Sequence, residues 1–262
     1  MSDRDELTPP QELVTYIGGG DFKQVGDAFL EHFETLCGLR PDERVLDVGC
    51  GAGRMAIPLA GYLSSAGHYE GFDVVPDAIE WCRQQISLRH PNFRFQLADV
   101  FSSKYNPGGK VEAKDYTFPY EDGRFDFAFA ASVFTHILPA EAGRYLSEVG
   151  RVLQPGGRSL NTFFLLGDES QALIEAGESD VSFAEDHGTH LLTSRPLPGA
   201  GAESRKVPGE DVALRVAFRE QFVLDLYERA GLEVSRPIHH GGWSGRTDAL
   251  AYQDIIVSQK RA

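Results

Sequence analysis

The sequence predicts an α/β fold in which a mostly parallel sheet lies between layers of helices. From Arg44 onward, short apolar runs alternate with segments of helical periodicity, which is typical of parallel strands joined by crossover helices. Proline opens two of the helical segments, and a glycine pair ends one of them, as expected at helix boundaries. The 262 residues, of which 42% are hydrophobic, suffice for one large domain or two small ones.

The predicted strands cover residues 44–48, 69–72, 93–97, 125–131 and 159–166, and a final pair covers residues 232–235 and 252–257. The predicted helices cover residues 55–63, 77–87, 140–153 and 219–230. The connection at residues 101–124 and the insertion at residues 167–210 are too long for a minimal α/β repeat. Because long segments without structure are often binding loops or lids, we expect the insertion to be a solvated lid.

Residues 1–40 are predicted to form an N-terminal helical extension ahead of a single domain at residues 41–262. Five apolar residues of the extension recur at spacings of three and four, which places them on one stripe of a helix. These residues are Phe22, Val25, Phe29, Phe33 and Leu36. Gly38 ends this helix. The apolar stripe allows the extension to lie on the larger domain as a cover.

The charge and the cysteine content argue against several classes of protein. With 25 Lys and Arg against 39 Asp and Glu, the net charge is −14 at pH 7, and this acidity disfavours nucleic acid as a partner. No apolar run approaches the ~20 residues needed to span a bilayer, and the acidic N-terminus is unlike a signal peptide. The three cysteines lack CxxC spacing, so we expect them to be reduced and bind no metal. We expect a cytoplasmic monomer or homodimer without a membrane partner.

The strongest functional signal is a glycine-rich turn between the first predicted strand and the first predicted helix. It comprises residues 47–54, with the sequence Asp-Val-Gly-Cys-Gly-Ala-Gly-Arg. Glycines in such a turn admit positive φ angles and let the backbone approach a ligand closely. Free N–H groups at the start of the following helix favour an anion such as a carboxylate or phosphate. The turn therefore predicts a cofactor site.

Two aspartates at later strand ends extend this predicted site. Asp73 ends the second strand, where a carboxylate can accept hydrogen bonds from both hydroxyls of a ribose or, alternatively, cap the next helix. Asp99 closes the third strand and can bind an exocyclic amine or cap a loop. Because open α/β sheets bind ligands at the carboxyl ends of their strands, the two aspartates and the glycine turn describe one crevice.

This pattern resembles the first motif of class I S-adenosylmethionine-dependent methyltransferases, in which an acidic residue precedes a GxGxG turn. The resemblance covers residues 40–166 and resumes over residues 215–258. It implies a three-layer Rossmann-like sandwich with a seven-stranded, mostly parallel sheet and a C-terminal antiparallel strand pair. It also implies S-adenosylmethionine as cofactor and S-adenosylhomocysteine as its product. The dinucleotide fingerprint GxGxxG, in contrast, requires a glycine where this sequence has Arg54.

The resemblance implies a set of cofactor-binding positions along the carboxyl edge of the sheet. They are Asp47, Gly49, Cys50, Gly51, Gly53, Arg54, Asp73, Val74, Asp99, Val100, Ala131 and Ser132. The three glycines would line the amino-acid part of the cofactor, and the aspartate before them would brace their loop. Asp73 would hold the ribose, with Asp99 and Val100 flanking the adenine. The pair after the fourth strand, Ala131 and Ser132, would lie beside the methionine moiety.

His136, just beyond the fourth strand, is the candidate catalytic base. Methyl transfer is an in-line displacement in which positioning of the reactants supplies much of the rate. A hydroxyl acceptor also needs a base to remove its proton, and a neutral histidine suits that task at pH 7. The alternative is that His136 only packs and positions its neighbours.

Further acceptor-binding candidates are Tyr16 in the extension and three residues of the last glycine-rich loop, His239, Trp243 and Arg246. Tyr16 would fold over the cofactor site. Trp243 offers a flat apolar face and Arg246 a rigid fork of donors, which together suit a sugar or a carboxylated acceptor. The alternative is that these loop residues pack a hairpin turn.

The sequence therefore predicts a methyltransferase for a small-molecule acceptor, chiefly a hydroxyl oxygen of a metabolite, sugar or natural-product intermediate. Transfer to an amine or carboxyl group of a small molecule stays open. An NAD-dependent oxidoreductase and a non-catalytic cofactor-binding protein are the alternatives from other classes. Methylation of nucleic-acid bases is disfavoured, because the segment after the fourth strand lacks the Asn/Asp-Pro-Pro-Tyr/Phe tetrapeptide.

Overall fold

The computed structural model describes residues 7–17, 20–193 and 214–261. Helices α1 to α7 span Gln11–Ile17, Phe22–Cys37, Ala56–Tyr62, Pro76–Cys82, Pro139–Val152, Asp168–Glu175 and Glu220–Arg229. Strands β1 to β11 span Arg44–Val48, His68–Asp73, Phe93–Leu97, Phe125–Ala130, Leu153–Phe163, Leu165–Leu166, Glu185–Asp186, His190–Leu192, Val216–Arg219, Leu232–Val234 and Asp254–Lys260. None of the helices in these ranges has the length and apolar character needed to cross a bilayer.

Seven strands form the central sheet in the order β10-β11-β5-β4-β1-β2-β3. β1 to β5 pair in parallel, whereas β11 is antiparallel to both β5 and β10. This arrangement confirms the predicted fold class, including the C-terminal antiparallel pair. The ends of β1 and β3 lie at the predicted residues.

Alternate residues of the buried strand β4 pack into two separate apolar clusters. Phe127 and Phe129 join one cluster, and Ala128 and Ala130 join the other. Because successive side chains of a strand point to opposite faces, the two clusters lie on opposite sides of the sheet. The predicted stripe of α2 belongs to the first cluster, where Phe33 contacts the rings of Phe127 and Phe129 at centroid distances of 5.1 and 4.5 Å.

The fifth strand begins earlier than the sequence predicts. Leu153 already pairs with Phe125, and regular pairing resumes between Arg158 and Phe127. The residues between them therefore form a bulge in which Gly156 adopts a φ of 77°. The sequence did not predict this part of the strand, because the Pro-Gly-Gly sequence within it is also typical of a turn.

The prediction of a solvated lid is wrong for the part of the insertion that the structure describes. Residues 168–175 form α6, and β7 and β8 join a second sheet in the order β6-β9-β8-β7. This sheet covers a third apolar cluster that includes Phe164, Val181 and Trp243. Its strands are two to four residues long, too short for a recognisable period in the sequence. Residues 194–210 of the insertion lie outside the described residues.

Asp254, the first residue of β11, joins the two sheets through its buried carboxylate. Oδ2 accepts hydrogen bonds from Leu165 N at 2.6 Å and Trp243 Nε1 at 2.7 Å, and Oδ1 accepts one from Gly241 N at 2.7 Å. Burial raises the pKa of this carboxyl to about 6, and the three donors oppose the rise. The contribution of Asp254 to the free energy of unfolding is therefore greatest at low pH and declines as the pH rises from about 4 to about 6.

We expect Asp254→Ala to lower the free energy of unfolding by about 3 kcal/mol or more at pH 5, because three buried N–H donors lose their acceptor. The difference in the free energy of unfolding between the variant and the wild type should become smaller toward pH 8. At that pH the wild-type carboxyl is charged, and a charge in a buried site contributes less stability. Urea unfolding at both pH values measures this difference. Asp248→Ala, an exposed change in the preceding loop, is the control. Equal stability of Asp254→Ala and the control would contradict the expectation.

Candidate cofactor and acceptor site

The glycine-rich turn lies between β1 and α3, at the carboxyl edge of the central sheet. Gly49, Gly51 and Gly53 have φ angles of 78°, 51° and 77°, which L-residues rarely adopt. The amides of Gly49 and Cys50 both donate to Phe72 O, at 2.9 and 3.0 Å. These bonds fix the turn to the end of β2.

Gly49 has no room for a side chain, because a Cβ built there would lie 2.5 Å from Cγ2 of Val133. The β-branched Val133 side chain has little freedom to move away. We expect Gly49→Ala to cost about 3 kcal/mol or more in the free energy of unfolding, from the positive φ and the clash together. Urea titration of the variant provides the measurement.

Gly231→Ala is the matched control, because Gly231 has a φ of 71° but nothing within 4 Å of a built Cβ. Gly231→Ala should lower the free energy of unfolding by about 1–2 kcal/mol, which is the cost of the positive φ alone. Adding Val133→Ala to Gly49→Ala should restore part of the loss. Equal costs for Gly49→Ala and Gly231→Ala would show that the contact with Val133 is unimportant.

Asp73, at the end of β2, links the glycine turn to the turn that precedes α4. Its Oδ2 accepts a hydrogen bond from Gly51 N at 2.8 Å, and its Oδ1 accepts one from Val75 N at 2.9 Å. Burial raises the pKa of Asp73, and these backbone donors oppose the rise. Each carboxylate oxygen has a second lone pair, so the residue can also accept two hydroxyl groups of a ligand.

Two other residues of the glycine motif point into the protein interior. Asp47 is buried and accepts a hydrogen bond from the Tyr69 hydroxyl at 2.6 Å. Burial raises its pKa to about 8, and the Tyr69 hydrogen bond opposes the rise. Cys50 is buried as well, so a ligand at the turn would meet its backbone rather than its thiol. Arg54 lies with its guanidinium 5.3 Å from the centre of the Phe22 ring of α2.

Asp99 and Val100 follow β3 at the same edge as Asp73. Ala98 N donates to Asp73 O at 2.9 Å, which brings the two strand ends together. The Asp99 carboxylate is exposed and accepts a hydrogen bond from Lys110 N at 3.2 Å. Val100 is buried beside it.

Ser132, after β4, is the one non-glycine residue with positive φ in the described ranges, at 60°. Its N–H donates to Thr162 Oγ1 at 2.8 Å, and its hydroxyl donates to Gln253 Oε1 at 3.2 Å. The Thr162 hydroxyl also donates to Gln253. Backbone strain of this kind persists where neighbouring contacts impose it, and it is frequent at functional sites. Sequence reasoning missed Thr162 of β5 and Gln253, which precedes β11, because both lie far from Ser132 along the chain.

His136 has a defined tautomer. Its Nδ1 lies 2.8 Å from Leu214 O, and because a carbonyl only accepts, Nδ1 carries the proton. The neutral ring therefore has its lone pair on Nε2. Burial lowers the pKa of His136 below its ordinary value, and the Leu214 hydrogen bond opposes this change. The charges of Arg215 and Lys104 lower the pKa further. His136 is thus neutral at pH 7 and able to accept a proton at Nε2.

Two tyrosines form a row with His136. The Tyr105 ring stands edge-on to His136 at a centroid distance of 6.5 Å, and Tyr16 stands edge-on to Tyr105 at 5.7 Å. The Tyr16 hydroxyl donates to Lys104 O at 2.8 Å, which holds α1 against this connection. Sequence reasoning selected Tyr16 but missed Tyr105, which lies in the long connection before β4 and has no motif around it.

The structure does not support the predicted role of Trp243 and Arg246. Trp243 is fully buried, and its indole N–H donates to Asp254, so it presents no ring face to a ligand. The Arg246 guanidinium pairs with Glu169 of α6 at 2.6 Å and is mostly buried. The second sheet, which the sequence did not predict, packs against Trp243, whereas α6 holds Arg246. These contacts favour the alternative of a packed turn for this pair.

His239 lies in the chain that runs beside β11. Its amide and carbonyl pair with Ile255 at 3.1 and 2.8 Å. None of its contacts in the described residues joins it to His136, so its role toward an acceptor remains a prediction.

The arrangement at this edge fits a nucleoside cofactor. Three glycines expose main chain where side chains are sterically excluded or strained, and Asp73 has free lone pairs beside them. A clustered set of three His, Cys, Asp or Glu side chains suited to a metal is absent from the described ranges.

Sequence comparison relates the chain to known proteins. Residues 45–157 match the family described as "Methyltransferase domain". An uncharacterized 37.1 kDa protein in transposon TN4556 of Streptomyces fradiae is 33% identical over 154 residues, covering 59% of this chain and 37% of that protein. The O-methyltransferase cnsE of Penicillium expansum is 27% identical over 136 residues, covering 51% of this chain and 42% of that protein. The matched regions thus span less than half the length of these curated relatives.

Solved structures share the fold. The PH0226 protein of Pyrococcus horikoshii OT3 has a TM-score of 0.61 at 17% identity, with 94% of this chain and 93% of that chain covered. The 1,6-didemethyltoxoflavin-N1-methyltransferase of Burkholderia thailandensis, solved with bound 1,6-didemethyltoxoflavin and S-adenosylhomocysteine, has a TM-score of 0.51 at 17% identity. In that case 92% of this chain and 79% of that chain are covered. At such identities the similarity concerns the fold alone.

Open α/β sheets of this kind bind nucleoside ligands at the carboxyl ends of their strands, beside a glycine-rich first turn. The family match runs from β1 into β5 and so contains that turn. Residues 45–157, which contain the glycine turn, are therefore similar to a methyltransferase domain. This match favours a methyltransferase over the NAD-dependent oxidoreductase that the glycine turn alone left open.

Proposed function

We propose that the protein transfers the methyl group of S-adenosylmethionine to a hydroxyl oxygen of a small-molecule acceptor, with His136 as the general base. The observation that carries this proposal is the geometry of His136. A main-chain carbonyl holds the proton on Nδ1, and burial keeps the ring neutral, so Nε2 is available as a base at pH 7.

The glycine turn and Asp73 are proposed to hold the cofactor. The backbone of Gly49, Gly51 and Gly53 receives its amino-acid part, and the free lone pairs of Asp73 accept the ribose hydroxyls. The adenine lies between Asp99 and Val100 in this proposal. The cofactor supplies an activated methyl group bonded to a sulfonium sulfur.

The residues around Ser132 and His136 then act on the acceptor. Ala131 and Ser132 position the methionine part of the cofactor, while His136 Nε2 removes the proton of the acceptor hydroxyl. As the O–H bond breaks, a C–O bond forms to the methyl carbon. The C–S bond breaks with its electron pair left on sulfur, and the proton stays on His136. Holding these atoms in line supplies a large part of the rate.

A hydroxyl acceptor is favoured over an amine or a carboxylate for a chemical reason. A neutral amine and a carboxylate already present a lone pair at pH 7 to 9 and gain little from a base. A buried neutral histidine with its tautomer fixed is useful chiefly where a proton must leave an oxygen. The relative cnsE is named an O-methyltransferase, whereas the structural neighbour from Burkholderia thailandensis is named an N1-methyltransferase.

Two segments are proposed to enclose the acceptor. The N-terminal extension, residues 1–40, covers the edge through Tyr16 and its contacts with Lys104 and Tyr105. The insertion at residues 167–210 forms the acceptor side of the domain at residues 41–262. His239 stays a candidate from the terminal loop. The protein is further proposed to act in the cytoplasm as a monomer or homodimer, on metabolites rather than nucleic acid.

The product of the reaction tests this proposal. The protein is incubated with S-adenosylmethionine carrying a ¹³C-labelled methyl group and with a small-metabolite extract, and the labelled products are identified by NMR and mass spectrometry. We expect S-adenosylhomocysteine and a methyl ether. An N-methyl product or a methyl ester would contradict the choice of oxygen acceptor. Absence of S-adenosylhomocysteine with every acceptor fraction would instead favour a non-catalytic cofactor-binding protein.

A further inference from the structure

Arg215 is held beside the proposed base by hydrogen bonds of its own segment. Leu214 O accepts from His136 Nδ1 at 2.8 Å, and Val216 N donates to Thr135 O at 2.9 Å. Arg215 itself is fixed to Thr193, whose hydroxyl accepts from Arg215 N at 3.0 Å and whose N–H donates to Arg215 O at 3.1 Å. The backbone of Arg215 therefore has a fixed position next to His136.

The guanidinium of Arg215 carries a charge that no carboxylate balances within ion-pair distance in the described part of the chain. Its side chain is exposed. Arg219, four residues further along β9, differs in this respect, because it pairs with Asp186 at 3.2 Å. In a chain with a net charge of −14, an accessible arginine outside any ion pair of the described residues, next to a proposed base, is available to bind an anionic ligand.

The charge of Arg215 acts on His136 and on two tyrosines. Burial raises the pKa of Tyr252, and Arg215 opposes that rise. Burial and the charge of Asp73 raise the pKa of Tyr105, and again Arg215 acts in the opposite direction. Lys104 adds a second positive charge, since its ammonium lies 5.2 Å from the centre of the Tyr105 ring. His136 therefore has the positive charges of Arg215 and Lys104 and the Tyr105 ring among its neighbours.

We propose that Arg215 binds an anionic group of the acceptor, a carboxylate or a phosphate, so that the substrate of this site is a hydroxylated acid. The inference rests on the proposed function, because it assigns a substrate class to the same site. The planar guanidinium offers two parallel N–H donors that match either oxyanion. Lys104 contributes attraction through its charge.

Binding of such an anion would also affect the base. The positive charges of Arg215 and Lys104 now disfavour protonation of His136. An anion placed between them and the ring offsets that effect and makes Nε2 a stronger base once the acceptor is bound. Recognition of the anionic group and removal of the hydroxyl proton would therefore be coupled.

The test uses the full-length protein saturated with S-adenosylhomocysteine and follows the His136 ring resonance by NMR, assigned by its loss in His136→Gln. The probes share one aromatic skeleton: 4-hydroxybenzoate, 4-hydroxyphenyl phosphate and the neutral 4-hydroxybenzyl alcohol. We expect at least one anionic probe to shift the resonance saturably and to bind about tenfold or more tightly than the alcohol. The tighter of the two anions then identifies the group.

Arg215→Gln should bring the affinity for the anionic probe down to that for the alcohol, and Arg215→Lys should give an intermediate value. Arg94→Gln removes an exposed arginine near the opposite end of β3 and should leave all affinities unchanged. S-adenosylhomocysteine affinity, measured by calorimetry, should be the same in all variants, which shows that they are folded. Equal binding of the anion by wild type and Arg215→Gln, or no response of His136 to any probe, would overturn the inference.

Failure of this inference can be told apart from failure of the proposed function. If the labelled product is a methyl ether and Arg215→Gln binds the anionic probe like the wild type, only the role of Arg215 is wrong. If the product is an N-methyl compound or a methyl ester, the proposed oxygen chemistry fails whatever Arg215 does.

Discussion

Replacement of His136 by alanine is expected to lower kcat about 10²- to 10⁴-fold, which is the usual contribution of a general base. The affinity for S-adenosylhomocysteine should stay close to that of the wild type, because the proposed cofactor contacts come from the glycine turn and Asp73. Steady-state kinetics with the methyl acceptor and calorimetry with the product cofactor measure the two quantities. Undiminished kcat with intact cofactor binding would rule out His136 as the base.

The pH profile separates a base from a residue that only positions its neighbours. His136→Gln can still donate a hydrogen bond to Leu214 O, but it cannot accept a proton. Because burial lowers the pKa of His136, kcat/KM of the wild type should be level at pH 7 and fall only in acid, below the ordinary histidine range. We expect the His136→Gln variant to be slow and to lack this acid limb. A retained acid limb would assign the titration to another group.

Asp73→Ala is expected to weaken the binding of S-adenosylmethionine about 100-fold or more, because two hydrogen bonds from ribose hydroxyls to a charged acceptor are lost. Gly51 N also loses its acceptor, so the glycine turn is less well ordered. Isothermal titration with the cofactor provides the measurement. Since the pKa of Asp73 is raised by burial, the wild-type affinity should fall as the pH is lowered toward that pKa.

Asp99→Ala is the matched control for Asp73→Ala. Asp99 lies two residues beyond the end of the neighbouring strand β3, and its carboxylate is exposed and pairs with Lys110. We expect Asp99→Ala to lower the affinity for S-adenosylmethionine by about tenfold or less, as for the loss of one solvent-exposed polar contact. An equal loss for the two variants, or no loss for Asp73→Ala, would show that the ribose is held elsewhere.

The central sheet and the cofactor edge were predictable because their signals are local. The residues from Arg44 to Ala56 contain a strand, a glycine turn and the start of a helix within thirteen positions, and each part supports the others. Asp73 follows from the same logic, since parallel strands end at one edge. The amphipathic stripe of α2 was also visible, and its period led to the correct helix.

The acceptor side was not predictable, because its contacts join residues far apart in the chain. Tyr105 reaches His136 across a long connection, and Thr162 reaches Ser132 from the next strand. Trp243 was a candidate for acceptor binding because it is a large aromatic residue in a glycine-rich loop. In the structure, a sheet of very short strands covers it. A composition or spacing rule cannot distinguish such a buried ring from an exposed one, since tertiary packing decides burial.

The partner that fixes the tautomer of His136 is a main-chain oxygen, and this has an evolutionary consequence. Almost any amino acid at position 214 would present the same carbonyl, so point mutations there leave the orientation of the imidazole intact. The exposed side chain at position 215 is therefore free to vary with selection for new acceptors. Related enzymes could diversify their substrate range at this position while the base and its tautomer stay unchanged.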